Sequence, residues 1–451
     1  MRRALPVLLA ALAALSAPAL GQPLAFGSSD DPLELGSEFR PADQAHAAAY
    51  VGPAYLPDAW RGAARAEVEA LRGRLSVGVG ATVHSGDGGL YGPEDDELVD
   101  LARAVRYVRY NATASSRAYA RLGPTEQVSL GVGALVRRYR TTTAWDERRI
   151  GAEAAVEGRA FRAAGFVDDV LRLNGVVGGE VGVATGLRLG PLDGVGVTVG
   201  AVHDLGQSGL TGDSSLTGVE VTVRGVIAGD RPLALRPFAT HARYLGRGST
   251  LGAGVEVGSP NLGDALRPRA RLAVFANTAR FVPGPVGPFY ALSNRTARIV
   301  DDGAFFDAAE ENVLAGTPLD SLSAGVDVVL DLKLVAFGRF EVSQYVRRHV
   351  GDETASGYSL RLAARLPRQT RVEFGLERQD FRGFFDLVQD LGDLNALVLD
   401  VRAPLGRRGV VFVRSRYGYR RLTDADGYAE EPQRYLVERR FEPLVGVRFG
   451  G

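Results

Sequence analysis

From Leu75 onward the chain alternates. In Leu75-Ser76-Val77-Gly78-Val79-Gly80-Ala81-Thr82-Val83 every odd position is apolar and every even one is small or polar, the two-residue period of a strand with unlike faces. Val128, Leu130, Val132, Ala134 and Val136 repeat it, as do Ile150, Ala152, Ala154 and Val156, with Glu153, Glu157 and Arg159 opposite. Val219, Val221 and Val223 alternate with Glu220, Thr222 and Arg224; Leu322, Ala324, Val326, Val328 and Leu330 oppose Ser323, Asp327 and Asp331; Val372, Phe374 and Leu376 oppose Glu373 and Glu377. A wall between lipid and water needs this pattern, repeated over segments of about ten residues.

Residues 22–73 read differently. Ala42–Tyr50 and Asp58–Leu71 are rich in Ala, and Trp60, Ala64, Val68 and Leu71 fall at helical spacing, which predicts a short, partly helical N-terminal segment at the periplasmic mouth or inside the lumen. The second of these stretches also suits an early strand. Ahead of them, Met1-Arg2-Arg3 is positive, Ala4–Leu15 apolar, and Ala17-Pro18-Ala19-Leu20-Gly21 made mostly of small residues. That is the layout of a secretory signal peptide over residues 1–21, cut before Gln22. Its apolar run falls short of the ~20 residues a spanning helix needs. No later apolar run is long enough either, so a chain that enters a membrane after export does so as a closed barrel, expected over residues 74–451.

Loop lengths test this reading, because such barrels have an even strand number with short turns at one end and long loops at the other. If the strand near Arg74–His84 runs outward, Ser85–Asp100 is an outer loop and Leu122–Thr125 a periplasmic turn. Parity then requires Leu171–Leu189 to break at Gly178-Gly179, a dipeptide suited to a tight hairpin. Pro191–Gly194, Gly229–Pro232, Leu366–Gln369 and Pro404–Gly409 follow as short turns; Phe281–Leu319, Arg347–Ser356, Phe381–Asn395 and Arg421–Arg434 follow as long loops. The fold expected is therefore all-β: a closed antiparallel transmembrane β-barrel of about 16–18 strands.

Composition narrows the function. The 451 residues carry 53 basic and 53 acidic side chains, and removal of Arg2 and Arg3 with the signal leaves a net charge of −2. Nucleic-acid binding needs a basic excess that is absent here. Without cysteine there is no disulfide framework or thiolate metal site. The five histidines, His46, His84, His203, His241 and His349, show no metal-binding spacing. No metal, cofactor or catalytic site is expected; the adjacent His84-Ser85 is the one pair with the residue types of lipase chemistry.

A barrel this wide cannot fill itself with wall side chains. The charges on the polar faces are accordingly the pore-lining candidates: Glu153, Glu157, Arg159, Glu180, Arg188, Glu220, Arg224, Glu256, Arg269, Arg271, Asp327, Asp331, Arg339, Glu341, Arg361, Arg365, Glu373 and Glu377. Opposed charges across a pore set a transverse field that selects among small polar solutes; pairing between neighbouring strands is the alternative use. The loop Phe281–Leu319 is long enough to serve as a constriction, and its acidic stretch Asp301–Glu311 suits a short helix. Tyr107, Tyr139, Trp145, Phe281, Tyr345, Tyr417 and Tyr435 lie near strand ends, where interfacial aromatic girdles form.

The chain ends Leu444-Val445-Gly446-Val447-Arg448-Phe449-Gly450-Gly451, an alternating strand with an aromatic residue near its end. In this the sequence resembles bacterial outer-membrane, porin-like β-barrel proteins as a class, although the two trailing glycines depart from the pattern. The resemblance implies an outer-membrane location, contact with outer-membrane lipid and lipopolysaccharide, and insertion by the barrel-assembly machinery. Passage of small polar solutes is the function expected. A non-transport barrel serving as scaffold, or in secretion or polysaccharide export, with a plugged lumen, is the alternative.

Overall fold

The computed structural model describes residues 46–449 except 57–58, 87–103, 111–117, 126–127, 142–148, 159, 172–174, 193, 206–215, 228–233, 247, 259–265, 280, 282–283, 285, 288, 291–297, 302–303, 308–324, 337–339, 351–355, 368–369, 380–394 and 423–433. The alternating segments form strands in an unbroken meander. The first eight are β1 (His46–Leu56), β2 (Ala59–Arg72), β3 (Leu75–His84), β4 (Val105–Tyr110), β5 (Ala118–Gly123), β6 (Gly151–Glu157), β7 (Phe161–Val167) and β8 (Val176–Ala184). Then come β9 (Gly194–Asp204), β10 (Thr217–Val226), β11 (Ala234–Tyr244), β12 (Ser249–Gly258) and β13 (Leu266–Asn277), followed by the short pair β14 (Arg298–Asp301) and β15 (Ala304–Asp307). The last seven are β16 (Gly325–Ala336), β17 (Phe340–Val350), β18 (Gly357–Arg365), β19 (Arg371–Gln379), β20 (Asn395–Leu405), β21 (Gly409–Leu422) and β22 (Arg434–Phe449).

Each wall strand pairs antiparallel with its neighbours, β13 passes directly to β16, and β22 returns to β1 with Phe449 opposite Ala47. The result is a closed barrel of 20 strands. β14 and β15 pair with each other inside the long β13–β16 connection, and β14 lies parallel to the start of β22. The even count stands; the number exceeds the expected 16–18. Closure has a physical reason: a sheet edge in lipid would leave a row of unpaired backbone groups.

The faces are inverted relative to a soluble protein. On β10, Val219, Val221 and Val223 are 37–43% exposed outward, whereas Glu220 and Thr222 are at most 1% exposed and point inward. Val181 and Val183 on β8, Leu272 and Val274 on β13, and Val326, Val328, Leu330, Leu332 and Leu334 on β16 likewise present their apolar side chains outside. Lipid completes their burial.

Several expectations need correction. Residues 42–45 lie outside the described residues. His46–Leu56 and Ala59–Arg72 are wall strands, so the described part of neither Ala-rich stretch is helical, the strand alternative holds for the second, and the barrel begins well before Arg74. Their small residues fit both periods, and edge closure decided between them. Gly178-Gly179 is not a turn: both residues sit within β8, paired to β7 and β9. Leu122–Thr125 is not a turn at the end carrying the chain termini, because β5 ends there at the opposite, loop-bearing end. Six strands, β3 to β8, occupy 75–184, so parity holds without a break. The short turns at 191–194, 229–232, 366–369 and 404–409 all fall at the terminal end, and the long connections at the loop end. Of the acidic stretch 301–311, the described part is strand, not helix.

Candidate functional site: a strap gripped in a charged lumen

Between β5 and β6 the chain turns into the barrel. Val128–Thr141, of which Val128–Val136 is expected as a wall strand, is an inward hairpin, here called the strap. Val128 and Tyr139 exchange both backbone hydrogen bonds, at 3.0 and 2.8 Å, and Leu130 N donates to Val136 O. Every residue from Leu130 to Thr141 is buried, irrespective of parity. The sequence carries a sign of this: Arg137 and Arg138 are adjacent, and a wall strand would aim one of them at lipid.

The wall grips the strap through its charges. Gly131 N donates to Glu180 Oε2 at 2.6 Å and Val132 N to Glu220 Oε1 at 2.7 Å. In return Arg224 donates to Gly131 O at 3.0 Å and Arg271 to Val132 O at 2.9 Å. Arg137 meets Asp331 at 2.6 Å, which Arg271 also approaches at 3.5 Å. Arg138 reaches Ser343 and Arg140 reaches Glu377, both at 3.4 Å, while the Arg137 guanidinium stacks 4.3 Å from the Tyr345 ring centroid. Charged partners make such bonds shorter and stronger than neutral ones. Gly131 takes φ 58°, a backbone state natural to glycine, and the Glu220 carboxylate lies where its Cβ would stand. Arg138, with φ 51°, is the one described non-glycine residue there, and its N–H donates to Ser129 Oγ.

A second inward segment packs against the first. Gly284 N donates to Ala134 O and Arg137 N to Val286 O, at 2.8 and 2.9 Å. Phe281, Val286, Phe289 and Tyr290 are buried, and Tyr290 Oη donates to Asp204 at 2.7 Å. Tyr139 Oη donates to Asp168, which Arg149 also meets at 2.8 Å. Burial, reinforced by those carboxylates, raises the pKa values of Tyr139 and Tyr290 well above the ordinary phenol range. An apolar cluster joins the two segments to Phe166, Val202, Phe238 and Phe275 of the wall.

The pore-lining candidates thus divide. Glu180, Glu220, Arg224, Arg271, Asp331 and Glu377 hold the strap. Asp327 binds Arg347 and Asn277; Glu153 pairs with Arg121, Glu341 with Lys333, and Arg361 with Glu377. Glu256 stands in register between Arg236 and Arg271, and Glu157 beside Arg162. Arg269 lies on the inward face of β13 beside Lys333, while Arg365 and Glu373 face inward near the terminal end. Arg188 is exposed in the β8–β9 turn, outside the wall. Arg159 and Arg339 lie outside the described residues.

Sequence reading missed a second cluster, since it left residues 58–71 open between a helix and an early strand and put the barrel's start at residue 74. Glu67 accepts from Tyr50 Oη at 2.7 Å, from Arg65 and Arg402 at 3.2 Å and from Arg106 at 3.4 Å. His84 Nε2 sits 3.2 Å from Glu442, whereas Ser85 Oγ accepts from Gly62 N. The adjacent pair is therefore split between separate partners and does not form a Ser-His unit. Of the aromatic girdle candidates, Tyr107, Tyr139, Phe281, Tyr345 and Tyr435 are buried instead; Trp145 lies outside the described residues. Tyr55, Trp60 and Phe441 form an aromatic group in their place, at the loop end of β1 and β2 and midway along β22.

An apolar exterior around a charged interior defines a closed, porin-like transmembrane β-barrel. No protein-family model and no curated protein matches the chain. Similar solved structures include the siderophore receptor PirA of Pseudomonas aeruginosa, with 10% identity over 91% of this chain and 81% of that one, at a TM-score of 0.35. OccD3 (OpdP) of the same organism shows 8% identity over 97% of both chains at 0.29. Wzi of Escherichia coli, a carbohydrate-binding barrel involved in group 1 capsule assembly, shows 10% over 90% and 84% at 0.31. At these values no residue role or activity carries across to this chain.

Proposed function

We propose that the protein is an outer-membrane channel, exported through a signal peptide cleaved after Gly21, that passes small polar solutes through a lumen constricted by the strap. The barrel-assembly machinery would insert it, among outer-membrane lipid and lipopolysaccharide. The supporting observation is the Arg137–Asp331 contact at 2.6 Å: a lumenal segment is tied by charge to a wall whose other inward groups are also charged. Twenty strands enclose more space than their own side chains fill, so whatever enters the lumen sets the bore.

Arg137→Ala tests this in planar bilayers. The change leaves Asp331 with a weakened partner set, costs on the order of 3 kcal/mol as the breakage of a buried pair does, and loosens the strap. Wild-type barrels should conduct, and the variant should show larger or noisier steps. No current from either protein would remove the channel reading. The apolar packing of the strap against Phe281–Tyr290 favours a second reading, a barrel with a filled lumen acting as scaffold or export component, and that outcome would support it.

A further inference from the structure

We propose that the lumen carries an oxyanion-binding site near its terminal end, built on Arg365, Arg371 and Arg402, which selects solutes bearing a carboxylate or phosphate. It rests on the channel reading and names the solute class.

Arg365 ends β18 and Arg371 begins β19, and the two are register partners; Arg371 is in turn the register partner of Arg402 on β20. All three occupy the inward faces, which also carry the buried Ser359, Glu377 and Asp400. Like charges abreast on neighbouring strands destabilise a sheet. One inward step toward the loop end, Glu373 and Asp400 are also abreast. The wall thus carries charge in rows of one sign, not in the alternating partners that would best bind strand to strand.

The carboxylates nearby are already heavily used. Asp400 takes two bonds from Arg414, at 2.8 and 2.6 Å. Glu67, reaching in from β2, is shared by Tyr50, Arg65, Arg106 and Arg402. Glu69 and Glu373 act electrostatically on Arg371, as Arg365 and Arg402 do with the opposite sign. Six guanidinium groups, on Arg65, Arg106, Arg365, Arg371, Arg402 and Arg414, therefore share a zone with five carboxylates, Glu67, Glu69, Glu373, Asp400 and Glu442, the last in register with Arg414 and bound by His84. Three of them, on Arg65, Arg402 and Arg414, stack around the Phe412 ring at 4.8, 5.3 and 5.0 Å from its centroid. Stacking fixes the planes of these groups, and planar guanidinium forks match a carboxylate or phosphate by paired bonds. Arg365, Arg371 and Arg402 stay partly exposed at the lumen's terminal end, where a solute anion reaches them.

The test uses the full barrel purified in detergent, melted in sodium phosphate, sodium citrate and sodium chloride at equal ionic strength. Wild type should melt higher in phosphate or citrate than in chloride, and whichever gives the larger shift identifies the preferred oxyanion. The double variant Arg365→Gln/Arg371→Gln should lose that shift and, relieved of repulsion, melt above wild type in chloride. In bilayers its preference for chloride over potassium should fall toward unity. Retention of the full shift by the variant would overturn the proposal, as would a lower melting point in chloride, which marks a purely structural row. A wild-type barrel that shows the shift but passes no current would sink the channel reading while leaving the site standing.

Discussion

Gly178 illustrates how a single residue holds two readings. Beside Gly179 it has the chemistry of a tight turn, yet it lies within β8 and serves as a notch: a Cβ there would stand 2.7 Å from the Phe166 ring and 3.0 Å from Leu130 Cδ1 of the strap. The wall is thinned where the strap leans on it. Gly178→Leu should keep the barrel closed, since the residue is inward and its backbone pairs on both sides, but displace Leu130. Faster proteolysis between Gly131 and Arg138, with unchanged gel migration of the folded barrel, is the expected result. At the same scale, Tyr139 and Tyr290 have pKa values raised by burial. A raised folded-state pKa contributes stability that is complete below the unfolded value of about 10 and is lost as pH rises through the higher folded value. Ultraviolet titration should show both among the late-ionising tyrosines, and in the Tyr139→Phe/Tyr290→Phe variant the late phase should shrink by two tyrosines.

At the scale of elements, the strap shows where periodicity stops being decisive. Val128 to Val136 alternates as well as any true wall strand, and its backbone bonds are those of a hairpin with its partner inside the lumen. Alternation reports two unlike environments, and a hairpin lying between apolar cluster and charged wall supplies them as well as lipid and water do. Arg137, Arg138 and Arg140 were the legible contrary sign. β1 and β2 present the converse case: Ala-rich and free of long β-branched runs, the first reads as helix and the second as helix or strand alike, and the pairings to β22 and β3 decide for strands. Once they are placed in the wall, Arg65, Glu67 and Glu69 become lumenal groups, which no local pattern could reveal.

For the whole molecule, the apolar belt is the property that sets its environment. Trp60 is 59% exposed on the outer face and packs with Tyr55 and Phe441, as an interfacial anchor does. In a Trp145→Phe background, the remaining Trp60 fluorescence should be strongly quenched by lipids brominated on the acyl chain near the headgroup and weakly by an aqueous quencher such as acrylamide. The reverse order would place this face in water. The sequence on its own determined that the fold is all-β, that the strand number is even, that the connections after β3, β13, β17, β19 and β21 are long, and that charge faces inward on most strands, because each follows from a period of two and from punctuation by turn residues. Tertiary structure decided the count of 20, the strap's place inside, and which charges meet. Those depend on contacts between residues as far apart as Arg137 and Asp331, and a local period carries no information about which distant strand a side chain will face.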